Sequence, residues 1–141
     1  MTLVWIHDYG KILDIAKQHE LNHKAEELLV ELDFPKDFVK KTMEYLEIFE
    51  SKMTLDLNQA PIEVRIASSS DAASHMVGPF FPIYWKDFSL KTIPELMEEQ
   101  MKKLNKDWER KIVLPEVKEF FEQRYKFLSE QSGNFPDKFF S

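Results

Sequence analysis

The sequence has no cysteine, only three glycines, no long apolar run and no excess of basic charge. Each lack excludes something. Without cysteine there are no disulfides and no thiolate chemistry, which fits a reducing compartment. With a net charge of −6 the chain is a poor match for a nucleic-acid binder, whose affinity comes mostly from Lys and Arg neutralising phosphates. No apolar stretch is long enough to span a bilayer. The Leu3-Val4-Trp5-Ile6 run is too brief for a signal-peptide core, and His7-Asp8 interrupts it. The expectation is a soluble, cytoplasmic protein with neither a membrane nor a nucleic acid among its partners.

What is present is helical. Glycine is confined to positions 10, 78 and 133, and the apolar residues recur at helical spacing rather than in strand-like alternation. The fold class is therefore all-α. At 141 residues and 43% hydrophobic content the chain is expected to form one domain with a real core. Twelve Phe, four Tyr and three Trp require that core or a partner surface to absorb many large rings.

A short first helix is expected to end around His7-Asp8, with Gly10 where a helix C-terminus favours glycine. Residues 12–22 are compatible with a helix or with a loop closing over a site. From His23 the stripe Ala25, Leu28, Leu29 and Leu32 is helical and stops at Asp33-Phe34-Pro35. The next helix opens at Pro35 and carries Val39, Met43, Leu46, Phe49 and Met53 on one face. Pro61 suits the first turn of another, with Ile62, Ile66, Ala73 and Met76 as its buried face, and with Asp71 and His75 four apart on one side. Phe80 to Trp85 reads as an aromatic loop or short helical turn that walls a pocket or makes an oligomer contact. Thr92 and Glu95 form a capping box ahead of the stripe Met97, Met101, Leu104, Trp108 and Ile112. A last helix from Glu116 is expected to present Val117, Phe120, Phe121, Arg124 and Leu128, stopping at Gly133. Residues 134–141 read as a tail. The run Glu98-Glu99-Gln100 with Lys102-Lys103 reads as a solvated face.

The chemistry gathers at Val4-Trp5-Ile6-His7-Asp8-Tyr9-Gly10-Lys11. An imidazole and a carboxylate side by side can share one divalent ion, with a lysine following that can meet an anion. Adjacent residues of a helix point about 100° apart, so sharing requires the helix to end there. The run resembles the signature of the HD superfamily of metal-dependent phosphohydrolases. A second stretch, Ile62-Glu63-Val64-Arg65-Ile66-Ala67-Ser68-Ser69-Ser70-Asp71-Ala72, is similar to that family's later helix, which carries a distal aspartate ligand.

The resemblance covers residues 1–90 and leaves 91–133 as two additional C-terminal helices on an HD-like bundle. It implies one divalent metal (Mn, Fe, Zn or Ni) held by His7, Asp8 and Asp71, with Lys11 on the phosphate of a small ester or nucleotide. His23 sits where many members carry an additional histidine, and His23, Glu20 or Glu26 is the candidate general base. Only six residues precede His7 and none is a histidine, so the family's first ligand has no counterpart. Three expectations follow: a metal-dependent phosphohydrolase, a non-catalytic helical module binding a partner through its aromatic surface, or a piece of a longer enzyme. His19 reads as a solvated side chain, and His75, four after Asp71, either supports the metal from behind its ligands or caps a helix.

Overall fold

The computed structural model describes residues 2–9, 13 and 18–134, and within them the secondary structure is helical throughout. In order these are α1 (Thr2–Ile6), α2 (Gln18–Glu31), α3 (Lys36–Glu50), a 3-10 turn (Leu57–Gln59), α4 (Ile62–Ser74), α5 (Phe80–Asp87), α6 (Ile93–Lys106), a π turn (Asp107–Lys111) and α7 (Pro115–Gln131). The all-α expectation holds. Residues 10–12, 14–17 and 135–141 lie outside the described set, so the expectations for Gly10, Lys11, most of residues 12–22 and the tail fall there. The chain divides into two compact units, Met1–Ala67 and Ser68–Ser141.

In the first unit, α1 and α2 pack on α3. Leu3, Ile6, Leu21, Ala25, Leu29, Val39, Leu46 and Phe49 are buried, so most of the stripes predicted for α2 and α3 are used; Leu32 is the exception on α2, lying past the end of the helix and 60% exposed. The turn between them closes without glycine. Asp33 takes φ 59°, one of the few side chains that tolerate the left-handed region. The Phe34 N–H then reaches back to the Leu29 carbonyl at 3.1 Å, a Schellman closure of α2. Met53 lies beyond the end of α3 and is half exposed.

In the second unit, α7 packs on α6. Ala72, Ala73, Met76, Phe81, Leu104, Ile112 and Leu128 form one core cluster, with Trp108 and Tyr125 against it. Three expectations are corrected. On α4, whose residues up to Ala67 belong to the first unit, Ile62 and Ile66 are about half exposed, and the buried positions are Val64, Ala67, Ser68, Ser69, Ala72 and Ala73. Phe120 is 81% exposed, since Val117, Phe121 and Leu128 already fill the side of α7 that meets the core. Finally, Gln100 and Lys103 do not belong to a solvated face: Gln100 is buried and donates to the Leu128 carbonyl at 3.2 Å, and Lys103 is drawn inward as described below.

Phe80 to Trp85 is regular helix, with Pro82 tolerated in its first turn. The capping box of α6 is present: Glu95 accepts from both the N–H and the hydroxyl of Thr92 at 2.7 Å.

Candidate functional site

Two groupings of chemistry-bearing side chains stand out, one in each unit. The first is the doublet. Leu3 and Ile6 are buried and anchor α1, which stops at Ile6, so His7 and Asp8 occupy a turn and are released from the divergence that a continuing helix would impose. His7 Nδ1 lies 2.7 Å from the Val4 carbonyl. A carbonyl only accepts, so Nδ1 is the donor of this contact, and Nε2 lies on the other side of the ring. That edge meets the carboxylate of its neighbour: Nε2 is 3.3 Å from Asp8 Oδ1. Phe49 backs the imidazole edge-on at 5.0 Å. The His7 side chain is 11% exposed and that of Asp8 44%, but the two facing atoms, Nε2 and Oδ1, are themselves buried.

Whether this pair suits an ion is a question of spacing. Two donors, each roughly 2.0–2.2 Å from one ion and separated by an octahedral or tetrahedral angle, lie about 3.0–3.5 Å apart. The observed separation falls in that window. A backbone acceptor on the other ring nitrogen is the usual device for orienting a ligating imidazole. His7 and Asp8 therefore fit two positions of a metal centre.

The second grouping contains Asp71. Its carboxylate receives a hydrogen bond from Lys111 Nζ at 3.0 Å and stands 3.8 Å from His75 Nε2. Lys111 also lies 2.9 Å from Asp107 Oδ1, and Asp107 Oδ2 is met by Lys103 Nζ at 2.7 Å and by His75 Nδ1 at 2.8 Å. The result is a chain of two carboxylates, two ammoniums and one imidazole, in which the ammoniums provide the positive charge between the acids. Burial alone would push the Asp107 carboxyl up. The hydrogen bond from His75 and the charges of Lys111 and Lys103 outweigh it and bring the group down to about 2. Burial likewise disfavours both ammoniums, yet Lys111, facing two carboxylates, ends above the usual lysine value, whereas Lys103 ends below it.

The cluster exists because α6 ends in a π turn. The Ile112 N–H bonds five residues back to the Asp107 carbonyl at 3.0 Å, and the wider turn places Asp107 and Lys111 on the buried side. The backbone groups this frees are taken up by serines of α4. Ser68 donates to the Lys111 carbonyl at 3.0 Å, and Ser69 Oγ accepts from the N–H groups of Val113 at 3.1 Å and Leu114 at 3.3 Å.

Of the sequence-derived candidates, His7 and Asp8 are brought together, Asp71 is joined to Lys111 and His75, and Lys11 lies outside the described residues. His23 is on the exposed face of α2, 3.2 Å from Glu27. Among the described residues no group of three or more His, Cys, Asp or Glu side chains is gathered as a metal site. Asp107, Lys103 and Lys111 were not foreseen. Their signal is a spacing of four, 103-107-111, running beside the apolar positions Leu104, Trp108 and Ile112. No protein-family model, no curated protein and no solved structure matches this chain.

Proposed function

We propose that the chain is a metal-dependent phosphohydrolase of the HD type, acting on a small phosphate ester or nucleotide. The observation that carries this reading is the 3.3 Å separation of His7 Nε2 and Asp8 Oδ1 at the end of α1, with the imidazole already oriented by the Val4 carbonyl. His7 and Asp8 would hold the ion. A bound divalent ion supplies a water that ionises near neutral pH and an electrophile for a phosphoryl oxygen. Lys11 neutralises charge on the phosphate. Phe49 packs against His7 and limits its rotation.

The test is hydrolysis of p-nitrophenyl phosphate and of nucleoside monophosphates by the chain supplied with Mn2+. Loss of a ligand is expected to exceed the ~10–100-fold cost of losing an outer-shell partner. His7→Ala and Asp8→Asn are thus each expected to reduce turnover more than ~100-fold at unchanged helicity.

A second reading, a non-catalytic helical module, is favoured by the 3.0 Å pair of Asp71 with Lys111, in which an ammonium already supplies that carboxylate with a cation. Metal bound at His7 and Asp8 without hydrolysis of any phosphate ester would select it.

A further inference from the structure

The second unit carries a cleft of about 580 Å3, within the range that takes drug-sized ligands. Its walls are Met76, Phe81, Pro82, Trp85, Phe127 and Leu128, and its polar lining includes Arg124 and His75. In a chain of net charge −6, the residues described around this cleft include no Asp or Glu. Arg124 is held in place by its own Nε, which donates to the Met76 carbonyl at 2.7 Å, and by its contact with the Phe127 ring at 5.2 Å. Among the described residues no carboxylate lies within ion-pair distance of this guanidinium. The two lysines of the ionic cluster, Lys103 and Lys111, each have a carboxylate of their own. The indole N–H of Trp85 is a further donor with no acceptor among the described residues.

A fixed guanidinium at the rim of an aromatic and aliphatic cavity recognises a planar oxyanion attached to an apolar body. Its terminal N–H groups match a carboxylate in bidentate fashion, and the ring walls remove the apolar part from water. The geometry points to a ligand site in the second unit for an amphipathic monocarboxylate, with the acid on Arg124 and the apolar body between Phe81, Trp85 and Phe127. This site depends on neither function proposed for His7 and Asp8, and metal content does not bear on it.

The experiment is calorimetric titration of the full chain with decanoate and, separately, with decanol. Decanoate is expected to bind at least ~10-fold more tightly, the scale of a hydrogen bond to a charged group, with the preference erased in Arg124→Met. Phe127→Ala, altering a side chain that is half exposed, is expected to weaken both ligands together. Equal affinity for acid and alcohol in the wild-type chain would overturn the carboxylate assignment while leaving an apolar site. Absence of binding by either, in protein whose circular dichroism is helical, would overturn the site itself. The wild-type comparison stands even where Arg124→Met fails to fold.

Discussion

Replacing Asp107 by Asn removes one negative charge from the centre of the buried ionic chain while keeping the side chain's shape. Asp107 is 1% exposed and has three cationic or hydrogen-bonding neighbours, at 2.7, 2.8 and 2.9 Å. Its carboxyl falls from an ordinary 3.8 to about 2, and at ~1.4 kcal/mol per unit this makes the ionised form contribute about 2 kcal/mol to folding at neutral pH. The amide does more than forgo that term, because its N–H groups face Lys103, Lys111 or His75, and two ammoniums lose a buried partner. Breaking a buried pair from one side costs about 3–5 kcal/mol, so a loss of about 3 kcal/mol is expected. A domain of this size has a total stability of about 5–15 kcal/mol. Urea unfolding followed by tryptophan fluorescence measures it. With a urea dependence of about 1–3 kcal/mol per molar, the midpoint falls by at least ~1 M. Because Asp107 and Lys111 share a contact, Lys111→Met combined with Asp107→Asn is expected to cost less than the two changes summed. A variant within 1 kcal/mol of wild type, or strict additivity in the pair, would refute the idea that this cluster holds the second unit together.

Other consequences follow from the same contacts. Asp107 has a depressed folded-state value, so its contribution is complete above about 3.8 and is lost as pH falls through about 2; acid titration by circular dichroism should show a fall in stability across that window that is absent from Asp107→Asn. Ser69→Ala leaves the N–H groups of Val113 and Leu114 without their acceptor and is expected to cost about 1–3 kcal/mol, whereas Ser70→Ala, at an exposed position of the same helix, should change the urea midpoint little. Phe120→Ser, at a ring 81% exposed, is expected to alter stability by no more than ~0.5 kcal/mol; a larger loss would mean that this ring is covered in solution.

The parts of the fold legible in the sequence are those where one local rule decides. The capping box at Thr92 and Glu95, the stop after Leu32 and the helical starts near Pro35, Pro61 and Pro115 all follow from backbone chemistry confined to a few residues. The first helix was expected to end around His7-Asp8 because Gly10 follows there, and α1 ends at Ile6. Less legible was the face each helix buries. On α4, periodicity favours the large residues Ile62 and Ile66, yet the buried side carries Ser68 and Ser69, whose hydroxyls serve backbone groups more than forty residues away. Such a demand is created by the π turn at Asp107–Lys111 and leaves no local mark on α4. Similarly, Lys103 looks solvated in a run of alternating charge, and only the inward turn of Asp107 explains why it is not. Asp71 is 14% exposed and paired with Lys111, a tertiary contact with a lysine forty residues on that no local pattern announces.

The central claim is that His7 and Asp8 hold a divalent ion. The measurement that meets it most directly is elemental analysis of the purified, folded chain supplied with transition metals, beside His7→Ala and Asp8→Asn. Near-stoichiometric metal in the wild type, lost in both variants, is the predicted result. A folded wild-type chain that retains no metal would contradict the account.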